Sequence, residues 1–226
     1  MKVSDYIINF FEKKGIDTAF TISGGGCIHL IDSLRKSNID VICPHHEQTA
    51  LMASEGYYRM KNKIALNVVT TGPGGTNTMT GLLGLWLDSI PTVIISGQVS
   101  TSQLSEDTGC RQIGDQEFNI IKVVKPMTKY AKMITNKNDV KDEIKKAYKI
   151  ALSGRPGPVW LDIPLDIQSS NLNEFKKFKE LLEESKKPLV IVGNGIRLSN
   201  SYDKLNSFLK ENKIPVVTGP HSGVDC

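Results

Sequence analysis

The chain has 226 residues, of which 39% are hydrophobic and 23% charged, with a formal net charge of +4. This composition supports a packed core and excludes a disordered chain, and the length suits one large domain or one and a half ordinary ones. The basic excess is scattered, and its densest run, Lys176 to Lys187, alternates with Glu180, Glu183 and Glu184, which reads as a solvated helix face and not as a nucleic-acid tract.

Val3, Ile7, Ile8, Phe10 and Phe11 fall at helical spacing, and Gly15 closes that helix as a C-cap glycine does. A buried strand is expected over Thr18–Ile22, then a glycine turn and a helix from Cys27 to Lys36. A second strand, Ile39–Cys43, leads into a helix from Glu47 to Met60. A third, Ile64–Thr70, runs through Gly72-Pro73-Gly74-Gly75 into a helix ending near Leu87. A fourth strand covers Thr92–Ser96. After a long irregular stretch, Asp139–Leu152 reads as a helix and Pro158–Ile163 as a strand. Continuous apolar strands alternating with helices predict an α/β fold, a parallel sheet covered on both faces. Residues 167–186 read as a polar linker with one surface helix. The pattern then restarts with a strand at Leu189–Val192, a Gly193-Asn194-Gly195 turn, a helix at Tyr202–Lys210 and a strand at Ile214–Thr218. The expected domains are therefore 1–166, and 187–226 as the beginning of a second α/β domain in a truncated chain.

Cys27, Cys43, Cys110 and Cys226 have no C-x-x-C spacing, which argues against a zinc site or a disulfide scaffold and favours a reducing compartment. No apolar stretch approaches the ~20 residues that span a bilayer. A cytoplasmic protein without nucleic-acid or membrane partners is expected. Gly24-Gly25-Gly26 lacks the G-x-G-x-x-G spacing of a dinucleotide site, and Gly72 to Asn77 lacks the Lys-Ser/Thr pair of a P-loop. On shape alone both are tight turns. Glu47 ends a strand and opens a helix, where a first-turn acid answers the helix dipole and where open α/β sheets also bind ligands.

Read in order, these segments resemble the acetolactate synthase family of thiamine diphosphate enzymes. Phe20-Thr21-Ile22-Ser23-Gly24-Gly25-Gly26 is similar to F-G-Y-P-G-G-A, and His46-Glu47-Gln48-Thr49-Ala50 with Ala53, Glu55, Gly56 and Tyr57 to H-E-Q-x-A-x-x-A-x-E-G-Y. Thr71 to Asn77 matches T-S-G-P-G-x-T-N, Asp88 to Pro91 matches D-S-x-P, and Ser96 to Val99 matches T-G-Q-V. Gln116-Glu117, Lys125-Pro126, Thr128-Lys129, Gly154 to Val159 and Asp162-Ile163-Pro164 continue the series.

The resemblance implies a pyrimidine-binding domain in which Glu47 hydrogen-bonds the N1′ ring nitrogen of the cofactor and relays a proton toward activation of its thiazolium carbon. It places Gly24, Gly25, Pro73, Gly74 and Asn77 near thiamine diphosphate and makes Gln116 an active-site glutamine beside Glu47. The implied reaction is decarboxylation of a 2-keto acid such as pyruvate and transfer of the two-carbon unit to a second carbonyl substrate. The implied assembly is a homo-oligomer, with magnesium and the diphosphate held by a C-terminal domain that these residues do not contain. Several residues depart from the pattern. Ser23 stands for proline and Ile22 for tyrosine. Asp115 stands where acetolactate synthases carry phenylalanine, which suits a polar acceptor such as a keto-sugar. Lys125 stands where flavin-binding members often have arginine, which leaves FAD open. The alternative reading is a catalytically silent half-site or assembly module.

Overall fold

Residues 1–106, 108–172, 181–193, 196, 199 and 201–218 are described by a computed structural model. The apolar runs of the sequence become the inner strands of one sheet. Its strands are β1 (Thr18–Thr21), β2 (Asp40–Ile42), β3 (Leu66–Val69), β4 (Thr92–Gln98), β5 (Tyr130–Met133) and β6 (Pro158–Pro164). They lie in the order β2-β1-β3-β4-β6-β5, and every pairing is parallel. The inner strands β1, β3, β4 and β6 are buried along their whole length. Successive side chains point to opposite faces, so Val68, Val93, Ile95, Val159 and Leu161 enter one core, and Val69, Ile94 and Trp160 the other.

Helices α1 (Val3–Lys13), α2 (Ile28–Arg35), α7 (Val140–Leu152) and α8 (Leu165–Ser169) supply the first core. Each does so along one stripe, as in Val3, Ile7, Ile8 and Phe11 of α1 and Val140, Ile144, Ala147 and Ala151 of α7. Helices α3 (Glu47–Lys61), α5 (Met79–Leu87) and α6 (Ile120–Val124) cover the other face, and the short α4 (Pro73–Thr76) follows β3. The expected α/β fold is present, with two elements added to the stretch read as irregular, α6 and β5. Strand β5 is an edge strand of half-buried residues, and Lys132 there pairs with Glu143 of α7 at 2.6 Å. A charged residue on an edge strand discourages pairing with another chain. It also breaks the apolar run by which a strand is recognised.

The first unit covers Met1–Leu172. The second, residues 173–226, contains a parallel pair, β7 (Val190–Val192) and β8 (Val216–Thr218), with a helix at Tyr202–Asn212 between them in sequence. Residues 173–180 of the expected linker, Asn194 and Gly195 of the expected turn, and Cys226 lie outside the described residues.

Two helical glycines have opposite surroundings. A Cβ at Gly81 of α5 would stand 2.7 Å from Leu51 Cβ and 3.1 Å from the Gln48 carbonyl oxygen of α3, whereas one at Gly56 of α3 would meet nothing within 4 Å. Gly81→Ala should therefore destabilise the chain by about 1–3 kcal/mol through overpacking. Gly56→Ala should stabilise it by about 0.5–1 kcal/mol through lost backbone entropy of the unfolded state. Denaturant unfolding of both variants measures this, and effects of the same sign would contradict the packing described.

Candidate active site

Strand order reverses between β1 and β3: the chain moves outward from β1 to β2, then returns to β3 and continues to β4. Such a reversal opens a crevice at the carboxyl ends of the strands, where the two outgoing connections part. The turns leaving β1 and β3 carry Gly24–Gly26 and Gly72–Gly75, and the connection leaving β2 carries Glu47. Three of the sequence motifs thus meet at one end of the sheet.

Glu47 is the first residue of α3. The preceding His46 is extended, and its Nδ1 accepts the Gln48 N–H at 3.2 Å, capping the helix and fixing where Glu47 leaves it. The far half of α3 is tied to β1 by Tyr57, whose hydroxyl donates to Asp17 and whose ring meets Phe20 edge-on at 6.2 Å. Lys63 Nζ lies 2.6 Å from the same Asp17, and these two donors, Lys63 first, hold its carboxyl down at about 2. Glu47 is half-buried as a residue, and its Oε2 accepts from the exposed Asn77 Nδ2 at 2.9 Å. Its Oε1 faces Gly74, where an added Cβ would lie 3.6 Å away. The residues 47, 74 and 77, far apart in sequence, are therefore neighbours.

Thr70 sits between the two glycine turns. Its Oγ1 accepts the Gly26 N–H at 3.1 Å. A Cβ on Gly24 would lie 2.5 Å from Thr70 Cβ, and one on Gly74 would lie 2.6 Å from Thr70 Cγ2. Both turns close down on one side chain, and only glycine permits it. Pro73, at the first position of α4, needs no N–H partner there. Gly25 is exposed at the turn's tip, with no atom within 4 Å of an added Cβ.

Gln116 reaches this crevice by its backbone. Gly72 has φ +60°, and a Cβ there would overlap the Gln116 carbonyl oxygen. Gln116 itself has φ +57°, which is uncommon for a residue with a side chain.

A family model described as the thiamine pyrophosphate enzyme N-terminal TPP binding domain matches residues 1–123. The chain belongs to that family. It is also similar to acetolactate synthase large subunits: 32% identical over 237 residues to that of Lactococcus lactis, covering 95% of this chain and 40% of the relative. To the chloroplastic acetolactate synthase of Arabidopsis thaliana it is 33% identical, over 96% of this chain and 35% of the relative. To the isozyme 2 large subunit of Escherichia coli it is 31% identical, over 95% and 41%. The chain spans 35–41% of the length of these relatives.

The first unit also buries a polar network behind the crevice, which the sequence did not single out as chemistry. Trp160 Nε1 donates to Ser96 Oγ at 2.7 Å, and Ser96 donates on to Asp162 Oδ1 at 2.6 Å. Gln98 Nε2 donates to Asp162 Oδ2 at 3.0 Å. Asp162 and Gln98 were legible only as parts of D-I-P and T-G-Q-V. Nothing in an apolar strand of one sequence reveals that the polar residues of two strands, β4 and β6, face each other across their pairing, with Ser96 opposite Asp162.

Asp162 is wholly buried, and burial pushes its carboxyl up from 3.8 to about 7 against the opposing pull of Ser96 and Gln98. The folded state then binds this proton more tightly than the unfolded chain. The associated stability is complete below the unfolded value and is lost as pH rises to the folded one. Unfolding free energy should therefore fall between about pH 4 and pH 7 with a slope of up to about 1.4 kcal/mol per pH unit. Asp162→Asn should flatten that slope in urea titrations across the range. An unaltered slope in the variant would contradict the assignment.

Proposed function

We propose that the natural protein carrying this chain is a thiamine diphosphate-dependent 2-keto acid decarboxylase and carboligase, and that this chain supplies the pyrimidine side of its site. The observation that carries the proposal is the Glu47 carboxylate, placed beyond a strand's carboxyl end between Asn77 and Gly74. One oxygen is held by Asn77, and the other faces a space that a Cβ at residue 74 would narrow. This arrangement fits the ring nitrogen and exocyclic amine of an aminopyrimidine, which need one carboxyl group and an open backbone cradle. Among the described residues there is no group of three or more His, Cys, Asp and Glu that could hold a metal ion. The family resemblance is what assigns magnesium and the diphosphate to other residues of the protein.

When bound, the cofactor supplies a carbon nucleophile and a cationic ring that takes up electrons as carbon dioxide leaves. The chain's own part is proton management and enclosure. The Asn77 amide donates to Oε2 of Glu47, so the proton that Glu47 exchanges with the ring nitrogen is carried on Oε1, beside Gly74. Gly24 and Gly25, Pro73 and Gly74 bring backbone close to the cofactor, and Gln116 presents its amide to the reacting carbonyl compounds. Pyruvate is the proposed donor. Asp115, exposed beside Gln116, favours a polar carbonyl acceptor such as a keto-sugar over a second pyruvate. A second copy of the chain is the proposed partner in assembly, and with Lys125 in place of an arginine, FAD is left outside the proposal.

In the natural protein loaded with thiamine diphosphate and magnesium, Glu47→Gln should slow hydrogen–deuterium exchange at the thiazolium carbon by about 10²–10⁴, the usual size of a general acid–base contribution. Thermal unfolding should be little changed, because Glu47 is only half-buried. Exchange at the wild-type rate would remove Glu47 from the mechanism.

A further inference from the structure

Gln98 ends β4, and its side chain is wholly buried. Its amide makes four hydrogen bonds. Oε1 accepts from the Val99 N–H at 2.9 Å and from the Thr71 hydroxyl at 2.8 Å. Nε2 donates to the Phe118 carbonyl at 2.9 Å and to Asp162 Oδ2 at 3.0 Å. Turning the amide over would set its NH₂ against the Val99 N–H, and its oxygen against a carbonyl and a carboxyl group. One orientation therefore satisfies the group, and the other loses at least the bonds to the Val99 N–H and the Phe118 carbonyl.

The segment that Gln98 holds is otherwise fixed at Gly114, which closes onto the Val99 side chain and bonds the Gln103 carbonyl, and at Gln116, whose carbonyl lies against Gly72. From Thr108 to Asn119 only Gly114 is buried, so apolar packing fixes this stretch at that one point and leaves Gln116 to Phe118 to polar contacts. The Glu117 carboxylate gathers the stretch onto itself, accepting from the backbone N–H groups of Ser105, Ile113 and Gly114. Its ties to the sheet are polar: Gln98 to the Phe118 carbonyl, and the Thr71 hydroxyl, which also lies 3.4 Å from the Gln116 carbonyl oxygen. Gln116, at φ +57°, keeps a sparsely populated conformation that persists only where its surroundings impose it.

We infer that Gln98 is a positioning residue for Gln116: its buried amide, aimed by Asp162, clamps the Gln116–Phe118 segment against the crevice. This rests on the proposed role of Gln116 at the active site, and it predicts that one buried amide outside the crevice sets how well that glutamine is presented. Gln98 touches no reacting atom and acts through the segment it holds.

The test uses the natural protein and Gln98→Met, which keeps length and volume and removes all four bonds. The backbone amides of Glu117 and Ile120, bonded to the Gly114 and Phe118 carbonyls, report on the clamp. Their hydrogen exchange should accelerate by about 10- to 100-fold while that of Ala50 in α3 is unchanged. Turnover should fall, cofactor activation read by thiazolium-carbon exchange should not, and Gln98→Met should add little to the loss caused by Gln116→Ala. Should Gln98→Met fail to fold, Gln98→Asn serves instead, since it keeps a buried amide but is one methylene too short to reach the Phe118 carbonyl. Unaltered exchange at Glu117 and Ile120 would overturn the clamp. Faster exchange with independent, multiplying losses in the two variants would overturn its link to Gln116. Full turnover by Gln116→Ala would instead sink the reading of Gln116, leaving amide exchange alone to decide the clamp.

Discussion

The crevice is spaced by the Thr70 side chain. Its hydroxyl accepts the Gly26 N–H, its methyl group fills the place of a Cβ on Gly74, and its Cβ fills that of one on Gly24. Two loops that leave adjacent strands would otherwise be free to choose their own separation. With Thr70 between them, the distance from one turn to the other is set by van der Waals contact, which is stiff, and by one hydrogen bond, which is directional. Every crevice residue considered above is placed relative to that wedge.

The next residues extend the same control to the other wall. Thr71 donates to Gln98 and lies 3.4 Å from the Gln116 carbonyl, Gly72 accommodates the Gln116 backbone at close range, and Pro73 opens the short helix that carries Gly74 and Asn77 to Glu47. A run of five residues thus joins the carboxylate side of the crevice to the glutamine side. Behind it, Trp160, Ser96, Asp162 and Gln98 form a buried polar chain in an otherwise apolar sheet. Such a network gains little net stability, but it fixes direction, because its donors and acceptors are matched in one arrangement. That is the property needed where a loop with few buried side chains must stand in one place.

Much of this fold was legible because it rests on local pattern. Inner strands buried on both faces are continuous apolar runs, and α1 and α7 carry their stripes at helical spacing. Strand β5 was missed because Tyr130-Ala131-Lys132-Met133 is half-buried and holds a lysine whose partner, Glu143, lies on another element. Helix α6 has five residues, too few for periodicity to be read. In the site, Glu47, Gly74 and Asn77 were found through ordered motifs, and the structure brings them together. Thr70 escaped because nothing in a threonine at a strand's end says that three glycines will close on it. The close approach between α3 and α5 at Gly81 escaped for the same reason, since one glycine in a helix does not name the neighbour it admits.

The most direct test of the account is a crystal structure of the natural protein with thiamine diphosphate and magnesium. The account predicts a pyrimidine ring nitrogen within about 3 Å of the Glu47 carboxylate. It also predicts Asn77 still bonded to the other oxygen and the ring passing beside Gly74, between the turns that Thr70 spaces. A pyrimidine seated away from Glu47, or a crevice in which the two glycine turns have moved apart from Thr70, would contradict it.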